Sequence, residues 1–232
     1  MQKIGIIGAM DEEVIALKRK MEIEETVEKA SMTFCSGTLK NKQVVVVKCG
    51  IGKVNSAVCT QVLIDHFNVD CIINTGVAGG LHPDINIGDI VISSDTVQHD
   101  MDTTAFGDPK GTIPRMDKSF FEADGQLIEL AKEAANTLSG EHEVYVGRVA
   151  SGDQFVCSIE VKEDIYSTFT AYCAEMEGAA IAHVCYLNQI PFVIIRAISD
   201  KADYSAEVNF EDFTELAARN ATAMINSIIE KI

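Results

Sequence analysis

General acid and base chemistry divides roles between two groups. One must hold a proton near neutral pH and the other must stay charged. Carboxylates recur directly after short apolar runs in this chain. Asp11, Glu12 and Glu13 follow Ile4–Ile7, Asp153 follows Val144–Ala150, and Asp200 ends Phe192–Ile198 with Asp203 close behind. Glu175 and Glu177 enter the alanine-rich stretch Ala179–Ala182. Each acid also has an ordinary structural reading. Acids that open a helix complement its dipole, and Asp11 is expected to cap. An unpaired carboxylate at the end of a buried strand is costly, so Asp200 could instead cap the next segment. Arg196 lies inside an apolar run, needs a carboxylate partner, and could orient Glu175 or Glu177.

Other chemistries are less well represented. Gly50-x-Gly52-Lys53 lacks the glycine a phosphate loop needs, and Asn55 takes the last place of a dinucleotide fingerprint. It reads as a tight turn and a helix start. Gly76–Gly80 either brings backbone against a flat ligand or serves close packing. The five His form no H-E-x-x-H pair, and His99-Asp100-x-Asp102 reads as loop hydrogen bonding rather than a ligand set. No metal is expected. No G-x-S-x-G motif occurs. The seven Cys include no C-x-x-C and read as small buried hydrophobes in a reducing compartment.

These groups must be positioned by regular elements. β-branched runs at Ile4–Ile7, Val44–Cys49, Cys71–Thr75, Ile90–Ser93, Val144–Ala150 and Phe192–Ile198 read as strands. Helical spacing runs through Glu12–Met21, Val54–Phe67, Gln126–Leu138, Ala179–Leu187 and Phe210–Ile229. Met32–Thr38 and Gln43–Cys49 flank a hairpin turn. The pattern predicts one α/β domain over 1–232, with a mixed, mostly parallel twisted sheet flanked by helices. Ligands in such sheets bind beyond the carboxyl ends of the strands, where glycine and carboxylate converge here. Gln98 to Lys118 reads as a long functional loop.

Composition narrows the partner. With 19 Lys and Arg against 35 Asp and Glu, the formal charge is −16. Nucleic acids and anionic membranes need cations to displace counterions, so neither is expected. No run of ~18 apolar residues spans a bilayer. The residues before Asp11 read as a first strand rather than a leader, and the expected location is the cytoplasm.

Six ordered motifs then coincide. They are Ile4-Gly5-Ile6-Ile7-Gly8-Ala9-Met10-x-Glu12-Glu13, Gly50-Ile51-Gly52-Lys53-Val54, Ile73-Asn74-Thr75-Gly76-x-Ala78-Gly79-Gly80, Ser151-Gly152-Asp153-x-Phe155, Glu175-Met176-Glu177 and Arg196-Ala197-Ile198-Ser199-Asp200. Together they resemble the 5′-methylthioadenosine/S-adenosylhomocysteine nucleosidases of the nucleoside phosphorylase superfamily, from residue 3 to about residue 229. The resemblance implies hydrolysis of the bond between adenine and a 5′-thio-substituted ribose, with inversion and without a cofactor. Asp200 would protonate adenine N7 and Ser199 would orient it. Glu13 would activate water. Glu177 would grip the ribose hydroxyls beside Glu175, with Met176 against the sugar. Phe155 would stack on adenine, and Val156 would present backbone to its edge. Met10, Ile51, Val77, Ala78, Gly79 and Phe210 would line the remaining walls. Family members are homodimers, so a partner's Thr103, Phe106 and Pro114 would close the 5′ pocket.

Two positions depart from the family. Val77 stands where relatives often carry Ser, and Asp108 where they can carry an aromatic. Three rival readings stay open: a phosphate-using phosphorylase, a futalosine hydrolase, and a binding protein without catalysis. The acidic Asp11-Glu12-Glu13 run disfavours phosphate, which needs cationic donors. Glu13, Glu177 and Asp200 present together favour an enzyme.

Overall fold

The computed structural model describes residues 3–138 and 142–232, without the side chains of residues 207–209, 211, 212 and 214–217. Ten strands form one sheet: β1 (Lys3–Gly8), β2 (Glu22–Lys29), β3 (Met32–Leu39), β4 (Lys42–Lys48), β5 (Cys71–Gly80), β6 (Ile90–Gln98), β7 (Phe120–Glu122), β8 (Val144–Ser151), β9 (Cys173–Glu175) and β10 (Phe192–Asp200). Six α-helices interleave with them: α1 (Asp11–Lys18), α2 (Lys53–Phe67), α3 (Gly125–Ala135), α4 (Ile159–Phe169), α5 (Gly178–Asn188) and α6 (Ala206–Lys231).

The sheet is mixed. β1 lies parallel between β4 and β5, and β10 runs parallel to β5. β10 also pairs antiparallel with β6, while β6, β8 and β9 lead back to β5. That half of the sheet therefore closes on itself. Closure brings β9 and the carboxyl ends of β5 and β10 around one space. All nine residues of β10 are buried, as a strand covered on both faces requires. The β3–β4 hairpin turns through Lys40 and Asn41, both at positive φ (53° and 62°), the signature of a type I′ turn.

Two expectations change and a third holds. Gly76–Gly80 is not a loop after β5 but its continuation, pairing with β10 and β9. Glycine is needed there because neighbours approach closely. A Cβ on Gly76 would stand 2.5 Å from Glu13 Oε1 and would collide with the Arg196 guanidinium. The Gln98–Lys118 stretch starts at the last residue of β6 and is otherwise irregular, as expected, apart from a 3₁₀ turn at Thr104–Phe106. Asp11 does not cap α1. Extended Met10 occupies the cap position, and Asp11 pairs with Lys48 at 2.7 Å instead.

Candidate active site

The space at the strand ends is a cavity of about 480 Å³, a size that suits a small organic ligand. Its base is set by Glu13. β1 stops at Gly8, the chain turns through Ala9 and Met10, and the first turn of α1 points Glu13 back at that turn. Glu13 Oε2 accepts the N–H groups of Ala9 (2.6 Å) and Met10 (3.1 Å). Oε1 accepts the Val77 N–H at 3.2 Å. Only 1% of the residue is exposed. Burial pushes its pKa up, while the Arg196 charge and the three N–H donors hold it back.

Asp200 closes β10 and is buried. Its Oδ1 accepts the Ala202 N–H at 2.8 Å, and Ser199 Oγ donates to Oδ2 at 2.9 Å. Burial raises its pKa against both hydrogen bonds. A carboxyl that retains its proton above the ordinary range can serve as an acid.

Glu175 and Glu177 take different parts. The Glu175 carboxylate accepts from the Gly178 N–H (3.0 and 2.8 Å), from Ser151 Oγ, and from Arg196 Nη2. It caps α5 and holds the arginine. Glu177 Oε1 accepts the Gly52 N–H at 2.9 Å, and its Oε2 lies 3.6 Å from Arg196. Burial and the neighbouring Glu175 push Glu177 up, while Arg196 and the Gly52 N–H pull it down. Its Oε2 has no direct hydrogen bond among the described residues, so it is the carboxylate oxygen better placed for a ligand hydroxyl.

Met10, Ile51, Val77, Ala78, Gly79, Phe155, Met176 and Phe210 complete the walls, with Glu175, Glu177, Ser199, Glu13 and Asp200 also on the lining. Phe155 and Phe210 meet edge to face, with centroids 5.7 Å apart. Phe155 is 41% exposed, which leaves ring surface for a flat ligand. Val156 is not on the lining. Its side chain is buried in a cluster with Leu81, Ile165 and Ala174. Thr103, Phe106 and Pro114 also lie off the cavity, and Phe106 is 89% exposed.

Ala9, Ala174 and Arg196 line the cavity without having been expected there. The two alanines carry no chemical signal in sequence. Arg196 does, as a cation inside an apolar strand. Its Nη2 also donates to Asn74 Oδ1 at 2.5 Å. Among the described residues it is the cavity's one basic side chain, and Glu175 and Glu177 offset it. The backbone donors around Glu13 hold that carboxylate. The cavity therefore offers an anionic ligand no uncompensated cation. His99-Asp100-x-Asp102 belongs elsewhere: Asp100 pairs with Lys53 at 2.6 Å, and Asp102 caps its own turn at Thr104.

Comparison with known proteins agrees with this geometry. The Phosphorylase superfamily model matches residues 3–230. A 5′-methylthioadenosine/S-adenosylhomocysteine nucleosidase of Staphylococcus saprophyticus is 45% identical over 230 residues, covering 99% of this chain and all of the relative. The crystal structure of the Neisseria meningitidis nucleosidase with methylthio-immucillin-A is 42% identical, with a TM-score of 0.95 and full coverage of both chains. A futalosine hydrolase of Helicobacter pylori is 38% identical with a TM-score of 0.93, covering 100% of this chain and 98% of its own. Fold, site geometry and full-length identity agree, and the chain belongs to the 5′-methylthioadenosine/S-adenosylhomocysteine nucleosidase family of the phosphorylase superfamily.

Proposed function

We propose that the protein hydrolyses the N-glycosidic bond of 5′-methylthioadenosine and S-adenosylhomocysteine, releasing adenine and the 5′-thio-substituted ribose. The observation that carries this reading is Glu13, whose carboxylate fills a cradle of three backbone N–H groups. Such a cradle otherwise suits an anion, and a phosphate there would meet a buried carboxylate instead. Water is the nucleophile that Glu13 can serve.

In the proposed reaction Asp200 gives its proton to adenine N7 as the C1′–N9 bond breaks. Adenine leaves neutral, and the ribose becomes oxocarbenium-like. Water adds to C1′ from the opposite face and gives a proton to Glu13, so the configuration inverts. Ser199 orients Asp200 and Glu177 holds the ribose hydroxyls. Arg196 keeps Glu175 and Glu177 in place. Phe155 stacks on adenine, whose edge meets the backbone near Val156. No cofactor or metal enters this scheme.

The working unit is proposed to be a homodimer of single-domain chains. Support comes from Phe106, exposed at 89% on a turn beside Thr103, and from the absence of Thr103, Phe106 and Pro114 from their own chain's cavity. A cytoplasmic location fits the seven free thiols, and no described helix is long and apolar enough to cross a membrane. Futalosine is a second candidate substrate, on the likeness to the Helicobacter pylori protein. The test is base release from methylthioadenosine, S-adenosylhomocysteine, futalosine and inosine, each with and without phosphate. Phosphate-independent release of adenine is expected. A strict phosphate requirement would overturn the reading.

A further inference from the structure

A cluster outside the cavity joins three loops that the chemistry leaves unused. Lys53 opens α2, directly after Ile51 and Gly52. Its Nζ meets Asp100 Oδ1 at 2.6 Å and Gln98 Oε1 at 3.3 Å, both at the end of β6. Asp100 Oδ2 accepts the Asp153 N–H at 3.0 Å, on the segment that carries Phe155. Asp153 Oδ1 accepts the Lys53 N–H at 2.8 Å and closes the ring. Gly52, at φ +98°, donates its N–H to Glu177 Oε1 at 2.9 Å. A Cβ on Gly52 would stand 3.1 Å from Asp153 Oδ1, so the turn is also packed against this ring.

We propose that Lys53 and Asp100 are positioning residues: their ion pair locks the Gly52 turn to the Phe155 segment, and so sets the spacing between the ribose grip and the aromatic wall. This rests on the nucleosidase reading of the cavity. Neither residue lines that cavity. The pair is largely shielded, with 18% of the Lys53 side chain and 28% of the Asp100 side chain exposed. An isolated surface pair contributes little, but this one is cross-braced by two backbone N–H bonds. Burial disfavours charge on Asp100, yet Lys53 and the Asp153 N–H hold it below the ordinary carboxylate range.

The ring touches neither Glu13 nor Asp200, whose partners are Ala9, Met10, Val77, Ser199 and Ala202. Its loss should therefore weaken substrate binding more than turnover. Lys53→Met, Asp100→Asn, their combination and Lys53→Arg are compared with the parent for methylthioadenosine kinetics, adenine affinity by calorimetry, melting temperature and mass in solution. Lys53→Met and Asp100→Asn should each raise KM and the adenine Kd about tenfold, within the range that small misplacements cost. Their kcat should change less than about threefold, because binding shared by ground and transition states is what is lost. The double variant should be no worse than either single one, and Lys53→Arg should recover most of the loss. Additive single effects, unchanged KM, or a loss that tracks melting temperature or solution mass would overturn the clamp. An inactive parent that still binds adenine would overturn the nucleosidase reading while leaving the affinity comparison to judge the clamp.

Discussion

The Val77 N–H donates to Glu13 Oε1 across 3.2 Å, tying a helix-borne carboxylate to a strand residue 64 positions away. Together with the Ala9 and Met10 N–H groups it fixes both carboxylate oxygens before any ligand arrives. A base held this way loses little freedom on reaching the transition state. Its side chain also occupies the donors at which an anionic co-substrate would otherwise be bound.

Glu13→Gln keeps the shape and one acceptor oxygen but removes the base. Turnover of methylthioadenosine should fall by about 10²–10⁴-fold. Adenine affinity, read by calorimetry, should change only severalfold. A variant within tenfold of the parent rate would take Glu13 out of the chemistry.

The pH profile should reflect both displaced carboxyls. In the proposed reaction Glu13 works deprotonated, and burial raises its pKa, so activity should fall on the acid side at a pH above that of an ordinary glutamate. Asp200 works protonated in the same scheme and is also raised by burial, so activity should fall as pH climbs through its displaced pKa. Asp200→Asn should remove the alkaline limb along with about 10²–10⁴-fold of rate. An alkaline limb that persists in this variant belongs to another group.

Stability should move the other way. Asp200 has a folded pKa above its unfolded one, so its stabilising contribution is complete below the unfolded value and is lost as pH rises through the folded value. Replacing it with Asn should therefore raise the melting temperature at pH 8 more than at pH 4. Each kcal/mol relieved is worth about 2–4 °C in a chain of this size. An equal shift at both pH values would show that Asp200 ionisation carries no cost in the fold.

The Arg196–Glu175 pair is buried on both sides. Removing Arg196 leaves Glu175 and Glu177 as buried charges without their cation, so Arg196→Met should destabilise the fold by about 3–5 kcal/mol, whereas Glu175→Gln leaves Arg196 its Glu177 partner and should cost less. Denaturant unfolding of the double variant should show much less than the sum of the two. Simple additivity would mean that the residues act independently.

Much of the site is legible in sequence because strand ends in an α/β sheet converge and its acids follow those strands. Glu13, Glu177 and Asp200 can be placed that way, and the resemblance assigns their roles. Other features leave no such trace. Gly76–Gly80 looks like a loop by composition, yet the close approach of Arg196 and Glu13 keeps side chains off a regular strand. β2, Glu22–Lys29, is nearly all exposed and charged, so it lacks the alternation that marks a half-buried strand. α4, by contrast, carries Val161, Ile165 and Phe169 at helical spacing, a signal as legible as that of the helices read above. The resemblance gives Val156 a backbone role, and its side chain packs away from the cavity with Leu81, Ile165 and Ala174.

Hydrolysis is tested most directly by the mass of the sugar formed from methylthioadenosine in phosphate buffer. Free 5-methylthioribose is predicted, in step with adenine and with no phosphate ester. Accumulation of 5-methylthioribose 1-phosphate would contradict it, since water would then not be the nucleophile beside Glu13.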